Sequence, residues 1–219
     1  MSVTTPKGFT AAGATAGIKA SGRPDLAIVV NNGPDAHAAA VFTSNAFQAA
    51  PVLWSREAVG DGRLAAVVLN SGGANACTGT AGLEDARQMA AWTSEALGTD
   101  VTDVAVCSTG LIGVRLPMDK VLAGIELATQ DLSEVGGPAA AEAIMTTDTV
   151  PKQAEFHSPQ RWSIGGMAKG AGMLAPALAT MLVVLTTDAV IAAADLDTAL
   201  RTATSFTFDR TDSDGCMST

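Results

Sequence analysis

The sequence predicts an α/β protein of layered build, in which sheets are covered by helices. Three observations predict it. Short apolar runs of strand length recur along the chain, segments with helical apolar spacing lie between them, and Gly, Asn, Ser and Pro clusters separate the two kinds. Hydrophobic residues make up 47% of the chain and charged residues 16%, a balance that suits a sizeable core and disfavours disorder.

The elements follow in order. Leu26–Val30 is a strand candidate ended by Asn31-Asn32-Gly33-Pro34, and Ala38–Phe42 is a further short apolar run. Leu64–Leu69 reads as a buried strand that Asn70-Ser71-Gly72-Gly73 breaks. Gly82–Leu97 carries Leu83, Ala86, Met89, Ala90, Thr93 and Leu97 at helical spacing, with Gly98 as its stop. Val104–Cys107 is a strand running into Ser108-Thr109-Gly110. Pro117 opens a helix through Leu127, since proline suits the first helical turn, and Gly137–Met145 is an Ala-rich helix. Gln153–Phe156 and Trp162–Met167 flank a hairpin turn at residues 157–160. A glycine-rich loop follows at residues 169–172, then the strongly apolar strand Met181–Thr186, then a helix over Leu196–Ala203. The near-continuous apolar run at Met181–Leu185 is expected to be a central strand buried on both faces.

Charge and residue usage narrow the chemistry. The net charge of -9, with no Lys/Arg cluster to override it, disfavours a nucleic-acid partner. Residues 1–15 lack the apolar segment of a secretory signal and no run is long enough to span a bilayer, so the expected setting is the cytoplasm. Three cysteines without a C-x-x-C spacing suggest neither a disulfide framework nor a zinc site. Two histidines, His37 and His157, leave little material for a histidine-based triad.

A nucleophile that needs no histidine is therefore of interest. Thr180 stands where a glycine-rich loop meets an apolar strand. Its hydroxyl can attack the preceding carbonyl, that of Ala179, to give an ester by an N-to-O shift. Hydrolysis of that ester frees the Thr180 α-amine, whose ordinary pKa of about 7.7–8.0 lets it act as its own general base. The flanking glycines permit the backbone strain such a cleavage requires. On pattern alone an ordinary strand threonine is the commoner explanation. Cys77, in the glycine-rich segment 72–79, is the rival nucleophile, but no histidine stands near it in sequence and a buried inert thiol fits it better.

Longer motifs bear on this choice. The run Lys169-Gly170-Ala171-Gly172-Met173-Leu174-Ala175-Pro176-Ala177-Leu178-Ala179-Thr180-Met181-Leu182 resembles the autoprocessing signature of the ornithine acetyltransferases, a family that includes bifunctional glutamate N-acetyltransferases. Gly17–Gly22, Asn70–Gly79, Cys107–Gly113 and Ala143–Lys152 agree with the family in order and spacing, and Phe208–Thr219 resembles a sixth family segment.

The resemblance implies the α/β/β/α sandwich of that family, here incomplete at the C-terminus, because family chains continue well past Thr219. It implies an N-terminal (alpha) chain over residues 1–179 and the start of a C-terminal (beta) chain over 180–219, divided by cleavage between Ala179 and Thr180. Thr180 matches the nucleophile, Thr109 and Gly110 the pair that stabilises the oxyanion, and Thr146 and Lys169 match substrate-binding positions. Lys169 offers a cation for a substrate carboxylate and lowers the pKa of a nearby amine. The implied reaction moves acetyl from N-acetylornithine to glutamate by way of acetyl-Thr180, with acetyl-CoA as a further donor in bifunctional members. No metal or bound organic cofactor is implied, and the full-length assembly is a heterotetramer of alpha and beta chains. Two other outcomes stand beside this one. An N-terminal-nucleophile amidohydrolase or aminopeptidase would pass the acyl group to water, and an inactive fragment would turn nothing over.

Overall fold

In a computed structural model, which describes residues 2–175, 177–178 and 181–217, strands and helices build two sheets that face each other across a shared core. The first sheet has four strands: β1 (Phe9–Ala14), β2 (Leu26–Asn31), β3 (Ala66–Gly73) and β4 (Val104–Leu111), in that order. β1 and β2 pair antiparallel, as do β2 and β3, whereas β3 and β4 are parallel. A parallel pair needs a long crossover, and helix α2 (Gly79–Leu97) supplies it. Gly98 closes α2 in a left-handed conformation at φ 67°, which glycine adopts without the penalty a side chain would bring.

Three helices cover one face of this sheet: α1 (Ala50–Ala58), α2 and α3 (Met118–Gln130). The apolar period of α2 and α3 places Met89, Val121 and Ile125 against Leu26, Ile28, Val68 and Val106. Each such side chain, fully removed from water, contributes about 1.5–3 kcal/mol. Helix α1 guards the open edge of β4. The Trp54 indole N–H donates to the Val104 carbonyl at 2.9 Å, and the Ser55 hydroxyl donates to the Val106 carbonyl at 2.7 Å while accepting the Val106 N–H at 2.8 Å. An edge strand capped in this way is withdrawn from pairing with other chains.

The other face of the first sheet carries Ala27, Val29 and Leu69, packed against Ala140 and Ala143 of helix α4 (Gly137–Ala143) and against Ile144. Met167 of the second sheet completes this core. That sheet is antiparallel and ordered β5 (Lys152–His157), β6 (Ser163–Lys169), β7 (Leu182–Thr187).

Several expectations change. The Asn70–Gly73 and Ser108–Gly110 segments do not end their strands; they are the last turns of pairing in β3 and β4, joined through an irregular register at Gly72 and Gly73. The apolar run 38–42 forms no strand. β1 and α1 are additional elements. The layered α/β build itself is as expected, with helices, the four-stranded sheet and the three-stranded sheet stacked in that order among the described residues. Helix α5 (Ala193–Phe206) lies near the 38–42 and 59–62 loops. β7 is not buried on both faces: among the described residues it pairs only with β6, and Leu185 is 48% exposed. No helix among the described residues is long and apolar enough to cross a membrane.

Candidate active site

The site is built where the C-terminal ends of β3 and β4 meet the end of β6. Gly110 has φ 129° and Gly72 has φ 121°, conformations L side chains rarely adopt. The two glycines also touch: a Cβ on Gly110 would stand 2.5 Å from the Gly72 carbonyl carbon and 2.7 Å from the Gly72 and Gly73 nitrogens. Only a bare backbone lets the parallel strands close this far. On its other side Gly72 receives the Gly17–Gly22 segment, since a Cβ there would meet Ile18 Cγ2 at 2.9 Å and the Lys19 nitrogen at 3.2 Å. That segment is shaped by the buried Asp25, whose carboxylate accepts the Ala16 N–H at 2.7 Å and the Lys19 N–H at 2.8 Å.

Thr109 is 2% exposed, and its hydroxyl accepts a hydrogen bond from the Lys169 ammonium at 3.2 Å. Lys169 closes β6 and is 5% exposed. Burial pulls its pKa below the ordinary lysine value; the carboxylate of Asp148 works against that fall and the ammonium of Lys152 adds to it. Lys19 stands on the same side of the molecule. Its ammonium donates to the Pro24 carbonyl at 2.7 Å and the Ala143 carbonyl at 3.4 Å. Its pKa is also lowered, first by burial, with Asp25 opposing and Arg23 and then Lys169 adding repulsion. Ser71 donates to the same Ala143 carbonyl at 2.5 Å, which fastens the end of α4 to β3.

Thr146 follows α4 in a half-buried turn, and its backbone N–H donates to Asp148 Oδ2 at 3.1 Å. Asp148 also accepts the Gly170 N–H at 2.8 Å and pairs with Lys152. Thr146 is thereby joined to the Lys169 corner through one carboxylate. Burial pushes the Asp148 carboxyl up, but the Lys152 ammonium and the Gly170 and Thr146 N–H groups outweigh it and hold the pKa down at about 2.

The structure therefore gathers four of the expected positions, Thr109 and Gly110 on β4, Lys169 on β6 and Thr146 behind Asp148. Ala179 and Thr180 lie outside the described residues. Their described surroundings are informative. Met173 and Ala177 hold φ of 55° and 57°, unusual for residues with side chains. The Asp214 carboxylate accepts the Met173 N–H at 2.9 Å, and the Ser213 N–H donates to the Leu174 carbonyl at 3.0 Å, so the 211–217 segment lies against the glycine-rich loop. Leu182, two residues after Thr180, is the cross-strand partner of Lys169.

The rival groups are elsewhere or inert. His37 is tied to the Ile191 carbonyl at 2.9 Å, and His157 faces Glu155 at 3.7 Å, so neither histidine serves the site. Cys77 is exposed rather than buried, with φ 57°. Burial pushes the Cys107 thiol up to about 12, which removes its thiolate at neutral pH. No cluster of three His, Cys, Asp or Glu side chains suited to a metal is present among the described residues. Asp148 and Lys152 are the site residues that motif reading did not single out, although Thr146-Thr147-Asp148 stands within a quoted segment.

A buried hydroxyl, a buried amine beside it and a glycine-shaped backbone lie together at the end of the parallel strands. Comparison with known proteins gives the family. The chain belongs to the ArgJ family, whose model matches residues 10–219. It is 64% identical to the arginine biosynthesis bifunctional protein ArgJ of Streptomyces coelicolor, over all of this chain and 57% of that protein. It is 62% identical to the ArgJ protein of Mycobacterium leprae, over 99% of this chain and 55% of that protein. The chain thus spans about half the length of the curated relatives it matches. Among solved structures it resembles ornithine acetyltransferase complexed with ornithine from Mycobacterium tuberculosis, at TM-score 0.79 and 56% identity, covering 83% of this chain and 96% of that one. The ArgJ structure from Bacillus halodurans gives TM-score 0.70 and 39% identity, over 83% and 95% of the two chains. The mixed α/β fold is that of the family.

Proposed function

We propose that this chain is the N-terminal part of an acyltransferase of arginine biosynthesis, which moves acetyl from N-acetylornithine to glutamate through an acetyl ester on Thr180. The observation that carries the proposal is the buried contact between Lys169 and Thr109, at 3.2 Å, on the strand end that pairs with Leu182. It joins the implied oxyanion position to an implied substrate position, next to the strand that opens just after Thr180.

In this reading the full-length chain first cuts itself. The Thr180 hydroxyl attacks the Ala179 carbonyl, the peptide C–N bond breaks to leave an ester and an α-amine, and water hydrolyses the ester. Residues 1–179 and the chain starting at Thr180 then form one enzyme. Lengths support this division. The solved Mycobacterium tuberculosis chain is nearly exhausted by a match to 83% of the present chain, whereas the ArgJ protein of the same organism is covered only to 55%. In turnover the Thr180 α-amine takes the hydroxyl proton as the oxygen attacks the acetyl carbonyl. The Thr109 hydroxyl and Gly110 N–H stabilise the oxyanion, each donor aimed at charge that develops only in the transition state. Ornithine leaves with the proton. The glutamate amine then takes the acetyl group from Thr180. Lys169 and Thr146 hold the substrate, the Lys169 ammonium being offered to its carboxylate. Acetyl-CoA as a further donor, a heterotetramer of the two kinds of chain, and the cytoplasm as its setting complete the reading.

The test is N-terminal sequencing of the smaller fragment of the full-length protein. Thr180 is expected as its first residue, and Thr180→Ala is expected to abolish the split; any other first residue sinks the assignment. An acceptor assay with glutamate against water alone then separates transferase from amidohydrolase.

A further inference from the structure

Asp148 is the most heavily engaged side chain near the site, and the reaction outlined above gives it no role. Its side chain is fully buried, while its partner Lys152 is 46% exposed. A buried carboxylate is stable only when its oxygens are met by donors, and here both are. Oδ2 accepts the Thr146 N–H at 3.1 Å, and Oδ1 accepts the Gly170 N–H at 2.8 Å and pairs with the Lys152 ammonium. These donors come from different layers. Thr146 follows α4, which packs on the first sheet, whereas Lys152 opens β5 and Gly170 follows β6 in the second. Thr146 and Lys169 are the two implied substrate contacts, and Asp148 is bonded to the backbone of one and to the residue next to the other.

We propose that Asp148 is a positioning residue of the acyl-transfer site. Its carboxylate fixes the Thr146 turn to the Lys169–Gly170 corner and sets the electrostatic field on the Lys169 ammonium. The proposal rests on the reading of Lys169 and Thr146 as substrate contacts. Geometry supplies the first part: removing the carboxylate leaves two backbone N–H groups without acceptors and nothing tying the turn to the corner. Charge supplies the second. The groups acting on Lys169 are Asp148, which favours its proton, and Lys152 and Lys19, which oppose it; Thr109 meets it as a neutral acceptor. Loss of the Asp148 charge lets Lys169 lose its proton at lower pH. Loss of the Lys152 charge lets Lys169 keep its proton to higher pH. The two variants therefore displace the alkaline limb of substrate binding in opposite directions, which a purely structural brace would not do.

The experiment uses the full-length, self-cleaved protein carrying Asp148→Asn, Lys152→Gln or neither, purified to a monodisperse state. KM for N-acetylornithine is measured across the alkaline range. Asp148→Asn is expected to raise KM at neutral pH by about tenfold, with a smaller effect on kcat, as for lost positioning of a bound group. Its alkaline limb is expected to move to lower pH, and that of Lys152→Gln to higher pH. An Asp148→Asn enzyme whose KM stays within about twofold of the parent, or two limbs that move in the same direction or not at all, overturns the proposal. Should Asp148→Asn fail to fold, the Lys152→Gln limb decides alone, with Lys152→Arg expected to restore the parent profile. Thr180→Ala and Lys169→Ala are measured beside them. Turnover in the first, or an unchanged KM in the second, rejects the underlying reading; an Asp148→Asn null with both controls inactive or weakened rejects only the role of Asp148.

Discussion

Substitution of Gly110 by alanine tests whether the closed contact between β3 and β4 shapes the site. Two costs add. At φ 129° an alanine leaves the favoured backbone regions, for about 1–2 kcal/mol. Its Cβ would also stand 2.5 Å from the Gly72 carbonyl carbon and 2.7 Å from two backbone nitrogens. Carbon atoms pack best at about 3.5–4.0 Å, so the strands must part by roughly 1 Å. Since the obstructing atoms are backbone and cannot turn aside, an overpacking cost of about 1–3 kcal/mol follows. Gly113 supplies the control, because it too has positive φ, 82°, but a Cβ there meets nothing within 4 Å. Gly113→Ala carries only the conformational cost. Thermal unfolding of the full-length protein should place Gly110→Ala roughly 3–10 °C below Gly113→Ala, taking a few degrees per kcal/mol. Because parting the strands also displaces Thr109 from Lys169, kcat should fall by about 10²-fold or more in Gly110→Ala alone. Melting points within about 1 °C, together with equal kcat, would refute the reasoning and make Gly110 a replaceable strand residue.

Two further outcomes are expected. Thr109→Ala in the full-length enzyme should lower kcat by roughly 10²–10³-fold through loss of one oxyanion donor, with self-cleavage less affected. Steady-state kinetics beside a denaturing gel would measure both, and a kcat within about twofold would leave Thr109 a strand residue and no more. Residues 1–219 expressed alone should show no acetyl transfer, because β7 has a strand partner on one side only among the described residues and Phe156 and Leu185, 52% and 48% exposed, leave apolar surface on the second sheet. Clear turnover by a monodisperse sample would overturn that expectation.

What the sequence disclosed about the fold depended on how far apart the deciding partners lie. β2, α2 and α3 were legible because their apolar period is local and is read without knowing what they pack against. β1 was not, since Phe9–Ala14 is built from small residues and a glycine whose strand state comes from pairing with β2. α1 (Ala50–Ala58) has no side-chain cap at Ala49, and Pro51 in its first turn is a start signal that the short, weakly periodic run after it did not reinforce. The glycines misled for the same reason. Gly72 and Gly110 read locally as strand breakers, yet each is required by a close approach visible only after folding, of the Ile18–Lys19 segment to Gly72 and of β3 to Gly110.

The site divides along the same line. Thr109, Gly110, Thr146 and Lys169 could be named as candidates because they stand in segments whose order and spacing could be matched one at a time. Asp148 stands in such a segment too, but its importance arises from three donors, of which Gly170 lies far along the chain and Thr146 offers only backbone. A backbone N–H leaves no mark on sequence identity. Of its partners only Lys152, four residues on, is a side chain a reader could have paired with it. That pairing would have read as an ordinary surface ion pair of little weight. Full burial of the carboxylate turns it instead into a joint between two layers, and burial at residue 148 follows from how α4 and the second sheet close over it, which no stretch of a few residues specifies.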